Sequence, residues 1–251
     1  MRVVTIGDVH GSQKWKNAVY QVDQDNGEIL GCYLDTTIDK VVFIGDYVDS
    51  FGLTNFEIFH NLKEIIQLKK DYPDDVILLW GNHDVAYLKN DDKITGYRFT
   101  MAPDLYQLFN DNYRLFQLAY QHDNVIWTHA GIHDGWWKYY ALPVIDKYKI
   151  TRFTDLIDDC NNTQDYLNLM FEFNYDPIFA VSHHRGGKSK EGGPLWADKV
   201  ELYTKPLKGF HQVVGHTKVP NIKTYDFKEN TKVTFVDCLP VSDDFFKIDL
   251  G

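Results

Sequence analysis

The sequence predicts an α/β fold: a mostly parallel sheet with flanking helices, and a second, more antiparallel sheet from the C-terminal part. Three observations predict it. Short β-branched apolar segments recur along the chain, and each is closed by a polar cluster. Segments with helical spacing lie between them, and the C-terminal stretch reads as consecutive strands.

Arg2 to Ile6 is a buried-strand pattern that ends at Gly7-Asp8. Lys40 to Ile44 and Val76 to Trp80 repeat it, ending at Gly45-Asp46 and Gly81-Asn82. Val125 to Thr128 runs into His129, and Gln212 to Val214 into Gly215-His216. Between the second and third strands Thr54 and Glu57 form a capping box, followed by Phe56, Phe59, Leu62 and Ile66 at helical spacing. A second helix is expected from about Pro103 to Gln121, with Leu105, Leu108, Phe109, Phe116 and Leu118 as its apolar set. Ile222 to Phe227, Val233 to Asp237 and Phe245 to Leu250 are the expected C-terminal strands. No linker or low-complexity tract divides the 251 residues, so one domain over 1–251 is expected.

Composition narrows the function classes. The 44% hydrophobic and 25% charged residues are the balance of a globular chain. No apolar run is long enough for a bilayer, and the N-terminus carries no leader pattern, so a soluble, cytoplasmic chain is expected. Cys32, Cys160 and Cys238 are too scattered for a disulfide framework or a zinc ribbon. They read as small apolar residues in a reducing compartment. A net charge of −10 argues against stable binding of duplex nucleic acid, which needs a basic face. It leaves an anionic substrate open, because bound cations reverse the local field.

The polar clusters carry the chemistry. In open α/β sheets the carboxyl ends of the strands gather at one crevice. Five such ends would bring Asp8, His10, Asp46, Asn82, His129 and His216 to one rim. Singly, each reads as well as an Asx turn, a loop acid or a core histidine. As a set they suit a pair of divalent ions about 3.5–4 Å apart, which needs a bridging carboxylate, hard oxygen donors and imidazoles. The glycines at 7, 45, 81 and 215 are expected to let the chain turn sharply at the strand ends.

Gly7-Asp8-Val9-His10-Gly11, Gly45-Asp46-Tyr47-Val48-Asp49, Gly81-Asn82-His83-Asp84, Thr128-His129-Ala130-Gly131 and Gly215-His216 together resemble the calcineurin-like metallophosphoesterase superfamily. The resemblance spans residues 7 to 216 and implies a metallophosphoesterase-type β-sandwich of mixed sheets, flanked by helices, in a single domain. It implies that Asp8, His10 and Asp46 hold one ion, and that Asp46 bridges to a second completed by Asn82, His129 and His216. The ions would be Mn²⁺, with Fe, Zn or Mg as alternatives. A water between them would attack phosphorus in line, with no phosphoenzyme. His83 would protonate the leaving-group oxygen, and Asp49 would orient His83.

Departures from the family pattern place the chain within it. The last block is Gly215-His216-Thr217-Lys218, without the second histidine of many nucleases and phosphodiesterases; this resembles the Ser/Thr protein phosphatase and diadenosine tetraphosphatase branch. That branch carries an arginine after the second block's Asp, where this chain has Ser50. Arg185, in Ser182-His183-His184-Arg185-Gly186-Gly187, is the candidate replacement as a phosphate clamp, the alternative being a solvated loop. Pro194-Leu195-Trp196-Ala197-Asp198 resembles a stretch that follows the Ser/Thr phosphatase core.

Gly81-Asn82-His83-Asp84 and Thr128 to Trp137 are more similar to the tetraphosphatase version. Trp136, Trp137, Tyr139, Tyr140 and Trp196 would either stack a nucleobase or pack helices under the rim. Residues of about 134–210 are a candidate cap over the metals. The substrate is a phosphorylated small molecule, a nucleotide or a phosphoprotein. The competing readings are a phosphodiesterase or nuclease on cyclic or single-stranded nucleotides, and a non-catalytic scaffold. Intact candidate ligands and an intact His83 count against the scaffold. Oligomeric state is not legible.

Overall fold

A computed structural model of the chain describes residues 1–22, 29–150, 162–239 and 241–251. In chain order the strands and helices are β1 (Arg2–Ile6), α1 (Lys16–Val19), β2 (Tyr20–Val22), β3 (Ile29–Leu34), β4 (Lys40–Phe43), α2 (Asn55–Asp71), β5 (Val76–Leu79), α3 (Asn82–Lys89), α4 (Ala102–Asp111) and β6 (Phe116–Gln117). They continue with β7 (Ala119–His122), β8 (Val125–Thr128), α5 (Asp134–Trp136), α6 (Leu142–Ile150), α7 (Thr163–Glu172), α8 (Lys199–Thr204), β9 (His211–Val214), β10 (Lys223–Asp226), β11 (Lys232–Phe235) and β12 (Phe246–Asp249). Two mixed five-stranded sheets with helices result, the fold class expected.

The chain divides into two compact units. The first holds Met1–Phe116, Lys218–Ile222 and Val236–Gly251; the second holds Gln117–Thr217 and Lys223–Phe235. The first unit carries the sheet β12-β1-β4-β5-β6, in which β1, β4 and β5 are parallel. Their side chains are buried except at Arg2 and Lys40, the first residues of β1 and β4, because helices and loops cover a parallel sheet on both faces. Register pairs Ile6 with Phe43 and Phe43 with Leu78, so three strand ends lie side by side.

α2 is the crossover between β4 and β5. Its N-terminus is the capping box read from sequence: Glu57 N donates to Thr54 Oγ1 at 3.2 Å, and Thr54 N to Glu57 Oε2 at 2.7 Å. Pro73, two residues beyond Asp71, does not allow the helix to continue. The buried stripe is Ile58, Leu62, Ile65, Ile66 and Leu68, each worth about 1.5–3 kcal/mol. Phe56 is not part of it: the ring is exposed and stacks on His60.

The second unit carries the sheet β10-β11-β9-β8-β7, with β8, β9 and β11 parallel and the two edges antiparallel. The five strands with polar ends are therefore divided between two sheets, three in one and two in the other. Residues 134–210 are the connection from β8 to its parallel neighbour β9, and 151–161 within it, with Cys160, lie outside the described residues.

Two expectations are corrected. The helix expected to reach Gln121 ends at Asp111: the run Asn110-Asp111-Asn112 competes for backbone hydrogen bonds, and Asn112 Nδ2 takes the Leu108 carbonyl at 2.8 Å. Phe116 and Leu118, two apart, are buried beyond it at strand spacing, Phe116 within β6. The C-terminal strands also do not form one sheet. β10 and β11 join the second sheet, while β12 runs antiparallel to β1 in the first, with Arg2 opposite Asp249. Among the described residues, no helix is long and apolar enough to cross a membrane.

Candidate metal centre

Each candidate ligand of the first unit follows a parallel strand. Asp8 lies after β1, Asp46 after β4, and Asn82 opens α3 directly after β5. All three are buried to 3% exposure or less. Offered atoms of Asp8, His10 and Asp46 lie within 4.8 Å of one another. His10 Nδ1 donates to the Val48 carbonyl at 2.7 Å. That bond fixes the tautomer and leaves the Nε2 lone pair on the side of Asp46 Oδ2, 3.9 Å away. Burial holds the His10 pKa below its ordinary value although Asp46 opposes the shift, so the ring stays a neutral donor. Two carboxylates and a neutral imidazole of fixed tautomer fit a divalent cation.

Backbone geometry here differs from the sequence reading. Among the glycines expected to make sharp turns, Gly45 alone has a positive φ, +105°. Gly81 is small for another reason: a Cβ there would meet Asp46 N and Asp46 Oδ1 at 2.2 Å. The left-handed conformation falls instead on candidate site residues, His10 (φ 44°), Asp46 (51°), Asp49 (67°) and, in the second unit, His216 (61°). Non-glycine residues of this conformation cluster at functional sites, where surrounding bonds over-determine them.

Asp84 supplies such bonds. Fully buried, it accepts Asp46 N at 2.8 Å, Tyr47 N at 2.9 Å and Gly81 N at 2.9 Å. One carboxylate thus ties the loop after β4 to the start of α3. Burial, with the nearby Asp46 charge, raises its pKa well above the usual range. Sequence reading gave Asp84 no role beyond its place in the motif.

His83 sits one residue inside α3. Its backbone N–H donates to Asp46 Oδ1 at 2.9 Å, its Nδ1 to Asp49 Oδ2 at 2.9 Å, and its Nε2 lies 3.9 Å from Asp46 Oδ2. Burial would lower its pKa; the Asp46 charge and the Asp49 hydrogen bond and charge outweigh that and raise it to about 8. The ring is 5.2 Å from that of His10, edge to face. Tyr87 and Arg98 also reach this group, and sequence reading missed both. His83 and Tyr87 are four residues apart on α3, the spacing that puts two side chains on one helix face, and this was the available signal.

In the second unit, Thr128 at the end of β8 pairs with Val214 at the end of β9, so His129 and His216 follow adjacent strand ends. His129 is fully buried; its Nε2 lies 3.2 Å from His216 Nδ1, with ring centroids 5.0 Å apart. Two converging imidazole nitrogens are a donor pair suited to Fe or Zn, while Mn and Mg favour the oxygen donors of the first unit. Trp196 packs edge-on against His216 at 5.6 Å, and Ala130 N donates to Pro194 O at 2.8 Å.

Arg185 is held beside this pair. Its Nε meets Asp198 Oδ2 at 2.6 Å and its Nη2 donates to the hydroxyl of Thr217, next in sequence to His216. Asp198 also caps α8, accepting Val200 N at 2.9 Å. The arginine therefore has a built anchorage and is not in a loose loop. The aromatic segment divides: Trp136 is fully buried, its indole donating to Pro177 O, whereas Tyr139 is exposed. Cys238 is buried and free.

The family model for calcineurin-like phosphoesterases matches residues 1–220. The chain belongs to this family. It is a phosphoester hydrolase, and the family is metal-dependent. The fold is similar to that of a cold-active protein-tyrosine phosphatase of the psychrophile Shewanella sp. (22% identity, 94% of this chain and 71% of that one, TM-score 0.50). A second structure, of a cold-active protein tyrosine phosphatase, is similar at 22% identity, 94% and 69% coverage, and TM-score 0.52. A Ser/Thr phosphatase of Saccharomyces cerevisiae, with similarity to human phosphatase PP5, matches at 15% identity, 94% and 67% coverage, and TM-score 0.48. No curated protein matches the sequence significantly.

Proposed function

We propose that the chain hydrolyses phosphate esters or anhydrides with two divalent ions, Mn²⁺ foremost, as one domain over 1–251. Asp8, His10 and Asp46 hold one ion; Asp46 with Asn82, His129 and His216 holds the other. When bound, the ions neutralise the phosphoryl charge and make a water nucleophilic at neutral pH. The protein's own residues do the rest. His83 keeps one proton on Nδ1, shared with Asp49, and delivers another from Nε2 to the leaving oxygen. Arg185, anchored by Asp198 and Thr217, offers its remaining guanidinium edge to a phosphoryl oxygen.

The observation that carries this reading is the bond from His83 Nδ1 to Asp49, made while Nε2 faces the Asp46 carboxylate. The substrate class is a phosphorylated small molecule, a nucleotide or a phosphoprotein. The test is parallel turnover of a phosphomonoester, a phosphodiester and a dinucleoside tetraphosphate with Mn²⁺, with Asp46→Asn and His83→Ala as controls. Monoester or tetraphosphate preference supports the proposal, and diester preference replaces it with a phosphodiesterase. No turnover with any divalent metal, together with no metal bound in calorimetry, leaves a scaffold.

A further inference from the structure

His83 has a partner, Asp49, and Asp49 has a second partner of its own. The Tyr87 hydroxyl donates to Asp49 Oδ1 while His83 Nδ1 donates to Asp49 Oδ2 at 2.9 Å. The Asp49 side chain is fully buried, so these protein donors stand where water would otherwise orient a carboxylate. The direction of the Tyr87 proton is settled as well. The backbone N–H of Arg98 donates to the Tyr87 oxygen at 2.8 Å, and the phenol's single proton must point away from it, at Asp49. The ring is fully buried and stacks on Tyr97, centroids 4.5 Å apart and 11° from parallel.

Arg98 is anchored in turn: Nη1 donates to Asn55 Oδ1 at 2.7 Å, and Nη2 to the carbonyls of Leu53, at 2.9 Å, and of Ser50. An unbroken series of bonds therefore runs from the loop before α2, through Arg98, Tyr87 and Asp49, to His83. Burial pushes the Tyr87 pKa up, which keeps the phenol a donor.

We propose that Tyr87 is a positioning residue for the proton-donating histidine: by holding Asp49 Oδ1 it fixes Oδ2 on His83 Nδ1 and so aims His83 Nε2 at the leaving-group oxygen. This rests on the reading of His83 as the acid. In the step it serves, the bond from phosphorus to the leaving oxygen breaks as the oxygen of the attacking water bonds to phosphorus. The bond's electron pair stays on the leaving oxygen, which takes the Nε2 proton. The attacking water gives up one proton to solvent, His83 is left neutral with its Nδ1 proton still hydrogen-bonded to Asp49, and solvent returns a proton to Nε2. Aiming the ring matters in proportion to the leaving group's need for that proton. A merely structural role in packing does not discriminate between leaving groups.

The experiment measures kcat and KM for Tyr87→Phe, His83→Ala and the double variant on aryl phosphates, from dinitrophenyl (a good leaving group) to phenyl (a poor one). Tyr87→Phe is expected to lower kcat on phenyl phosphate by about 10–100-fold, the usual worth of a residue that orients a working side chain. On dinitrophenyl phosphate it should stay within about twofold, with KM and metal content unchanged. The double variant should be no slower than His83→Ala alone. An equal loss on every substrate, or a full additional loss in the double variant, overturns the role of Tyr87. If His83→Ala is itself indifferent to the leaving group, the acid reading falls first, and the proposal with it. Should Tyr87→Phe not fold, 3,5-difluorotyrosine at position 87 adds two ring fluorines and makes the hydroxyl more acidic. An unaltered leaving-group dependence at a pH where its absorbance shows the phenol ionised, so that it no longer donates to Asp49, also overturns the proposal.

Discussion

The two units hold their candidate site histidines in different ways. In the first, each ring is committed to a protein acceptor: His10 to the Val48 carbonyl and His83 to Asp49, with Asp84 tying down the loops on either side. In the second, His129 and His216 meet each other, nitrogen to nitrogen at 3.2 Å. The first arrangement is oriented by the protein itself. The second sets two imidazole nitrogens within hydrogen-bonding reach of each other. Orientation by a carbonyl or carboxylate and orientation by a second imidazole thus occur in one chain.

The largest effect that would break this contrast is at Asp46, which receives the His83 backbone N–H and lies beside both His10 and His83. Asp46→Asn should lower kcat by on the order of 10³-fold, several kcal/mol of charge stabilisation, and lower the bound-metal count in elemental analysis. Next, His83→Ala should lower kcat by about 10²-fold or more while the metal count stays unchanged. Loss of metal in that variant would mean that His83 is a ligand.

Smaller is Arg185→Gln, which frees Asp198 and Thr217. It should raise KM by roughly 10- to 150-fold with kcat nearly constant, as for one lost phosphate contact worth about 1.5–3 kcal/mol. A change in folding midpoint without a change in KM would make Arg185 a staple of the second unit only.

The smallest effect is on stability against pH in metal-free protein, and here His83 should diverge from the histidines lowered by burial, His10 in its own unit and His133 and His211 in the other. His83 is raised to about 8, so its contribution is present below the unfolded value of 6.5 and lost as pH rises through about 8. In the second unit His133 and His211 are lowered, first by burial, so their contribution is present above 6.5 and lost as pH falls below it. Urea midpoints between pH 5 and 9 should show His83→Gln flattening the alkaline side and His211→Gln the acid side. The same slope in both variants would remove the distinction.

Much of this was legible from strand ends. Apolar segments closed by Gly-Asp, Gly-Asn or Thr-His located the strands β1, β4, β5, β8 and β9 and their polar ends to within a residue or so, because a buried strand needs both hydrophobic continuity and a stop. The capping box fixed the start of α2 for the same local reason. Pairing was not legible. Nothing in Phe245 to Leu250 says that it will lie against Arg2–Ile6 and not beside β11, since both edges accept a half-exposed strand. Phe56 misled because an aromatic ring at helical spacing counts as core in a pattern and yet stands in solvent here. Asp84 was missed because it bonds the backbone of Asp46 and Tyr47, 38 and 37 positions away, which no local spacing records; for Tyr87 the spacing from His83 marks a shared helix face but not the distant Asp49 that both bond.

The left-handed backbone at His10, Asp46, Asp49 and His216 has a consequence for how such a centre can change over time. A β-branched residue at any of these positions meets a backbone penalty of about 1–3 kcal/mol before its chemistry is considered. Asn, Asp, His and Gly enter that conformation most readily. Three of those four offer a donor atom. The turn thus restricts the alphabet at these positions to residues that still bind or hydrogen-bond, and random drift away from Asp or His lands most cheaply on Asn.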